Sequence, residues 1–252
     1  MRDLEAARRL LARSRQALAF TGAGVSTASG VPDFRSPGGI WSRYRPVTLP
    51  EFLASAEARR RYWTYKKETW ADFAQARPNA AHEALARLES QGRLLGVVTQ
   101  NIDGLHQEAG SRKVVELHGT NRRVECLGCG WNGPAAETHE RLAAGEEVPA
   151  CAGCGGPLKA ATISFGQALR PEVLEEAFAL ARAADLLLVL GSSLVVYPAA
   201  AIPEAAASRG APMVIINREP TPLDGLAAVA LRGEVERLLP ALLDGVAAGE
   251  PA

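Results

Sequence analysis

No apolar run in this chain reaches the length needed to span a bilayer, and neither sign of charge prevails. Its 252 residues carry 28 Lys and Arg against 28 Asp and Glu. Nothing in that balance argues for a nucleic-acid or membrane surface, and neither partner is expected. There is no internal repeat and no low-complexity linker. What remains is 47% hydrophobic and 22% charged, enough to bury a substantial core in one domain or one domain plus an insertion. The segment Met1 to Phe20 is Arg-rich and amphipathic in the manner of a transit peptide. Asp3 and Glu5 interrupt it, however, and it runs directly into a strand, so a first helix of the domain is expected. A cytoplasmic protein is the expectation.

Cysteine is rare and none is left over. Cys126-x-x-Cys129 and Cys151-x-x-Cys154 sit in Gly-rich knuckles, Leu127-Gly128-Cys129-Gly130 and Ala152-Gly153-Cys154-Gly155. Such turns let two thiolates and their backbone converge on one ion, and two pairs make a tetrahedral zinc site. Two disulfides or two redox pairs are the rival readings. Four sulfur ligands leave no open position for water, so the zinc is expected to hold the fold rather than to catalyse, and zinc-water hydrolysis is excluded at these residues.

Periodicity gives alternating helices and strands. A first helix feeds a strand at Ala17 to Phe20. Asn79 is expected to cap a helix from about Ala80 to Ser90, closed by Gly92 before the strand Leu94 to Thr99. Further strands are expected at Val114 to Leu117, Leu186 to Leu190 and Met213 to Asn217, and helices at Pro171 to about Ala184, Ala199 to Ser208 and Val235 to Leu243. Apolar strands separated by helices imply an α/β fold with a parallel sheet covered on both faces. Asp33 to Arg77, rich in aromatics, and Asn121 to Lys159, with the cysteines, break the pattern and read as insertions.

After the first strand the chain reads Thr21-Gly22-Ala23-Gly24-Val25-Ser26-Thr27-Ala28-Ser29-Gly30. Two glycines two apart permit a tight turn and close approach of backbone to a diphosphate. The full dinucleotide fingerprint is missing: Thr27 holds the third glycine position, and no acid stands where a ribose clamp belongs. By itself this turn fits a plain strand-to-helix connection as well as a phosphate site.

Six ordered motifs change that. Gly22 to Ser36 (including Asp33-Phe34-Arg35), Gln100-Asn101-Ile102-Asp103, His118-Gly119, the two cysteine pairs, Gly191-Ser192-Ser193-Leu194 and Val196-Tyr197-Pro198 follow one another as they do in sirtuins. The chain resembles that family from about residue 5 to 240. The resemblance implies a Rossmann-like, doubly wound parallel sheet (residues 1–32, 78–120 and 160–246). It also implies a smaller inserted module of zinc ribbon plus helices (33–77 and 121–159). NAD and an acyl-lysine protein substrate would meet in the cleft between them. It implies that acyl oxygen displaces nicotinamide, that His118 accepts a proton from the ribose hydroxyls, and that free lysine, nicotinamide and O-acyl-ADP-ribose leave.

On the same resemblance, Asn101 and Asp103 hold nicotinamide, with Ile102 between them, and Gln100 touches the ribose. The turn Gly22, Ala23 and Gly24 approaches the diphosphate by its backbone, Ser26 and Ser193 suit phosphate contacts, and Gly191 and Ser192 bind the cofactor. Asp33, Phe34 and Arg35 form the cofactor loop, Phe34 shielding the reactive carbon; Asn217 and Val235 reach the adenosine. Gly166 and Val195 flank a peptide that adds as an extra strand. His82, His106 and His139 are expected to be structural.

Departures from the family are informative. Gln167 stands where many members have glutamate, and Leu231 to Val235 matches the adenine-contacting end only loosely. Members that prefer succinyl- or malonyl-lysine carry a Tyr-x-x-Arg pair; here Trp63 and Lys66 take those positions, and a shift to Tyr62 and Tyr65 still gives no arginine. Without the arginine fork, acetyl-lysine is expected to be preferred. An ADP-ribosyltransferase or NAD glycohydrolase on the same scaffold is the alternative. A zinc-ribbon nucleic-acid binder is disfavoured, because residues 126–154 carry Glu137, Glu140, Glu146 and Glu147 against Arg141 alone, with Trp131 the one aromatic.

Overall fold

The computed structural model describes residues 2–33 and 39–244. In chain order these form α1 (Arg2–Arg13), β1 (Ala17–Thr21), 3-10 turns at Ala23–Val25 and Thr27–Ser29, α2 (Ile40–Arg43), α3 (Leu49–Ala54), α4 (Ala56–Gln75), α5 (Ala80–Ser90) and β2 (Leu94–Thr99). Then follow α6 (Leu105–Glu108), β3 (Val114–Glu116), β4 (Gly119–Cys126), β5 (Asn132–Pro134), α7 (Ala135–Ala143) and β6 (Leu158–Thr162). The chain continues through α8 (Pro171–Ala183), β7 (Leu186–Leu190), α9 (Ala201–Ser208), β8 (Met213–Asn217), a 3-10 turn at Asp224–Leu226, β9 (Val229–Arg232) and α10 (Val235–Leu243). Among the described residues no helix is long and apolar enough to cross a membrane.

Six strands pair in parallel in the order β3-β2-β1-β7-β8-β9. The strands climb outward from β1 on one side, then return to its other side, so a crevice opens beside β1 at their carboxyl ends. Both faces are covered, and the pleat sorts alternate residues between them. Ala17, Ala19, Leu186, Leu188 and Leu190 meet α1, α5 and α10, whereas Leu18, Phe20, Leu187 and Val189 meet α8 and α9. Each leucine of β7 is fully buried, which stabilises the fold by about 2 kcal/mol per side chain. This is the doubly wound arrangement expected.

Strand β9 was not anticipated. Its four residues, Val229–Arg232, pair in parallel with β8 and alternate in burial, Val229 and Leu231 entering one core and Ala230 packing on the other, but the run is too short to be marked out by sequence.

A second sheet, antiparallel in the order β5-β4-β6, carries the cysteines. It begins at Gly119 and ends at Thr162, outside the 121–159 span at both ends, since β4 follows β3 across Leu117 and His118 alone and Gly119 pairs with Thr162. Helix α4 is packed on it: Tyr62, Trp63, Val124, Cys126, Leu142 and Leu158 share one core. Thr48 starts α3 with a capping box and Ser55 accepts from Ala58 N–H at the start of α4, so the insertion between residues 39 and 77 is helical by local capping as well as by packing.

Candidate active site

The carboxyl ends of β1, β2 and β7, with the residues after β3 and β8, surround one cavity of about 610 Å³. Its walls include Gly22, Ala23, Gly24, Asp33, Gln100, Asn101, Ile102, His118, Gly191, Ser192, Ser193, Asn217 and Val235, together with Lys66 and Gly166. Phe34 and Arg35 lie outside the described residues.

Glycine is required where β1 and β7 end. A Cβ on Gly22 would stand 2.8 Å from Gly191 O, and one on Gly191, at φ +59°, would stand 2.5 Å from Gly24 C. The Gly24 N–H donates to Gly191 O at 2.9 Å. The two loops are therefore fused backbone to backbone. Asn79 fixes the same turn from α5: its Nδ2 donates to Val25 O (2.8 Å) and Ser29 Oγ (2.9 Å), while its Oδ1 accepts from Ala81 N–H.

His118 follows β3, and its Nδ1 lies 2.9 Å from the Gln100 carbonyl. A carbonyl only accepts, so Nδ1 carries the proton and Nε2 is the basic nitrogen. Gln100 in turn donates from Nε2 to Ser192 Oγ at 2.8 Å, tying three strand ends together.

Behind the wall lies a buried polar network. Ser26 is fully buried; its Oγ donates to Asp103 Oδ2 at 2.7 Å and accepts from Asn101 Nδ2 at 3.1 Å. The expected phosphate contact from Ser26 is therefore corrected: the hydroxyl is consumed in orienting Asn101 and Asp103. Asp103 is also one layer back, 3% exposed, with Oδ1 accepting from Leu105 N–H at 2.9 Å, and it supports Asn101 instead of facing the cavity. His82 lies against Ser26 (3.4 Å) and His106 against Thr21 (3.0 Å). Burial holds His82 down to about 4 and His106 down to about 3, so both are neutral near pH 7. His139 is likewise pushed down to about 4 by burial and stacks on Trp70 at 3.9 Å.

The other end of the cavity is aromatic. Trp41, Tyr62, Tyr65 and Phe165 line it, with Trp41 5.8 Å from both Tyr65 and Phe165. None of these four was assigned from sequence as a wall of the site, although the aromatic richness of 33–77 was the signal. Trp63 is corrected: it faces away from the cavity, 1% exposed, and donates from Nε1 to Leu158 O at 3.2 Å. On α4, positions 62, 65 and 66 share one side and 63 falls on another. Lys66 lies at the floor, 5% exposed, with Nζ 2.6 Å from Asn121 Oδ1; burial first, and Lys159 second, push its amine down to about 7. Val195 is 55% exposed beside the wall residue Val196 and is itself not part of the wall. Gln167 accepts from Ser164 N–H at 3.1 Å, closing the loop that bears Gly166.

The four cysteine sulfurs lie within 4.8 Å of one another. Cys126 and Cys154 are 3.5 Å apart and Cys129 and Cys151 3.8 Å, close to the ~3.8 Å edge of a tetrahedron built on metal–sulfur bonds of about 2.3 Å. A disulfide would need about 2 Å. Gly128 and Gly156 N–H groups point at Cys126 and Cys154 sulfur (3.4 and 3.3 Å), and a Cβ on Gly156 would sit 3.1 Å from both sulfurs. This cradle fits a structural zinc ion held by Cys126, Cys129, Cys151 and Cys154.

The Sir2 family model matches residues 22–198. NAD-dependent protein deacetylase 2 of Streptomyces coelicolor is 47% identical over 233 residues, spanning 90% of this chain and 96% of its own. An NAD-dependent protein deacylase of Thermococcus kodakarensis is 44% identical over 243 residues, with 94% and 93% covered. A Sir2 structure solved with a p53 peptide and NAD+ superposes with a TM-score of 0.86 at 37% identity, covering 94% of this chain and 95% of that one.

Proposed function

The chain belongs to the Sir2 family, and on that premise we propose that it is an NAD-dependent protein lysine deacylase that acts on acetyl-lysine, with His118 as general base. The observation that carries the reading is the His118 tautomer. With Nδ1–H bonded to Gln100 O, Nε2 is the nitrogen able to accept a proton, and the ring orientation is fixed from behind.

NAD, when bound, supplies a ribose carbon made electrophilic by the departure of neutral nicotinamide. The residues divide the remaining work. Backbone of Gly22 to Gly24 and the exposed Ser193 serve the diphosphate, where N–H groups and hydroxyls suit anionic oxygen. Asn101, held by Ser26, presents its carboxamide to the nicotinamide amide, with Ile102 beside it. Gln100 and Asn217 meet ribose hydroxyls, and the backbone near Val235 meets the adenine end. His118 takes a proton from a ribose hydroxyl, which makes that oxygen a nucleophile towards the acyl carbon.

The acyl-lysine enters between Gly166 and Val195 and runs into the aromatic end, where Trp41, Tyr65 and Phe165 exclude water. Lys66 has its amine turned to Asn121 and pushed down to about 7, so no fixed cation awaits an acyl carboxylate. That supports acetyl over succinyl.

The test is mass spectrometry of an acetyl-lysine peptide incubated with the protein. The peptide should lose its acetyl group only when NAD is added, with O-acetyl-ADP-ribose formed in equal amount. ADP-ribose transferred to protein with acetyl retained would make the chain a transferase instead; free ADP-ribose released without peptide would make it a glycohydrolase.

A further inference from the structure

Lys66 is an amine 95% shielded from solvent beside the Tyr62 and Tyr65 rings, and among the described residues no carboxylate is bonded to it. Burying an amine that has no carboxylate partner is costly, so the one hydrogen bond it makes matters. Its Nζ donates to Asn121 Oδ1 at 2.6 Å, and the Asn121 N–H donates to Ile102 O at 2.7 Å. The next residue of β4 acts on the next carbonyl of the same loop, since Arg122 Nε donates to Asp103 O at 2.6 Å. Gly104 then turns the chain at φ +73°. Ile102 and Asp103 are thus held by their carbonyls from β4, and Lys66 bonds the side chain of the residue whose N–H holds Ile102.

We infer that Lys66 is a positioning residue: from helix α4, through Asn121, it holds the Gln100–Asp103 loop in the form that receives nicotinamide. The inference rests on the proposed assignment of that loop to nicotinamide. It joins the floor of the acyl end of the cavity to the leaving-group end. Lys159 on β6, His139 on α7 and the Tyr62 and Tyr65 rings on α4 surround the amine, and none of them offers it a negative charge.

The test compares two ligands that differ by the nicotinamide alone. Calorimetry of the zinc-loaded full chain measures affinity for NAD and for ADP-ribose in the unmodified protein, Lys66→Met, Lys66→Arg and Asn121→Ala. Lys66→Met keeps the stem and removes the donors. It should weaken NAD by about 10-fold and ADP-ribose by less than about 2-fold, the loss of one buried hydrogen bond felt only at the nicotinamide end. Lys66→Arg should recover most of the loss, and Asn121→Ala should reproduce it. The melting temperature of Lys66→Met should stay within roughly 5 °C. Unchanged NAD affinity in a folded Lys66→Met overturns the inference. So does equal weakening of both ligands, or an effect confined to KM for the acyl peptide. Neither binding measurement needs turnover, so a chain that binds NAD but fails to deacetylate would refute the proposed function and still decide this point.

Discussion

At the crevice edge of the main sheet, backbone packs on backbone: Gly22, Gly24 and Gly191 touch, and Gly24 N–H donates to Gly191 O. In the small module the corresponding work falls to side chains. Four thiols converge, Trp63 reaches Leu158 O, Tyr62 accepts from Ala160 N–H and Lys66 spans to Asn121. The edge tolerates almost no added atom, while the module depends on particular atoms being present. Charge divides the two regions as well. The edge keeps its buried histidines neutral, His82 beside Ser26 and His106 beside Thr21, and the module buries two lysines, Lys66 and Lys159, whose amines burial pushes down to about 7 and about 8. A rigid crevice floor facing a module built from ligands and long side chains is what a cleft between two substrates requires.

The sharpest way to separate the regions is through the metal. Cys129→Ala should remove zinc and unfold the module, since structural zinc contributes on the order of 10 kcal/mol. The main sheet should still give a cooperative melting transition, and activity should be lost with the cleft. Elemental analysis and calorimetric scanning check this; full activity in zinc-free protein would mean that the thiols are not a structural site.

Next in size is the edge itself. Gly191→Ala places a Cβ 2.5 Å from Gly24 C in a left-handed residue, which should cost about 3 kcal/mol. Urea unfolding should show it, and zinc content should stay normal. A loss of zinc in this variant would mean that the two regions are not separable in the way described.

Acid tests the same region more gently. His82 and His106 have folded values of about 4 and about 3, below the usual 6.5, so the unfolded chain takes up their protons first. Their contribution to stability is complete above about pH 6.5 and is lost as pH falls toward 4 and 3, at up to about 1.4 kcal/mol per pH unit for each. His106→Gln should flatten the fall of the urea midpoint between pH 6.5 and 4; an unaltered slope would remove that histidine from the account.

Smallest is the acyl preference. Catalytic efficiency on acetyl-lysine should exceed that on succinyl-lysine by about 10-fold in matched peptides, the worth of one missing charge-assisted bond. A ratio favouring succinyl would mean that Lys66 turns from Asn121 to the acid.

The comparison also explains what sequence could convey. Strands β2, β7 and β8 and helices α5 and α10 have the bounds that periodicity and the Asn79 cap indicate, because regular backbone and its caps are written locally. The two cysteine pairs were equally legible, since their spacing is the chemistry. Side-chain direction was not. Trp63 and Lys66 are three residues apart, yet packing against β6 turns one into the module core and leaves the other on the cavity floor. Ser26 looks like a phosphate ligand in the Gly-rich turn and becomes the support of Asn101 and Asp103, because partners from residues far along the chain reach it first. Strand β9 needed its neighbour before it existed at all.

The central claim is that His118, held through Nδ1, is the base of an NAD-dependent deacylation. The most direct measurement is single-turnover kinetics of His118→Ala beside the unmodified protein, on acetyl-lysine peptide with NAD, with NAD affinity read by calorimetry in the same preparations. NAD affinity within about 3-fold and turnover lower by about 100-fold or more is the predicted result, the loss expected for a general base. Turnover within a few-fold of the unmodified protein, at unchanged NAD affinity, would contradict the account.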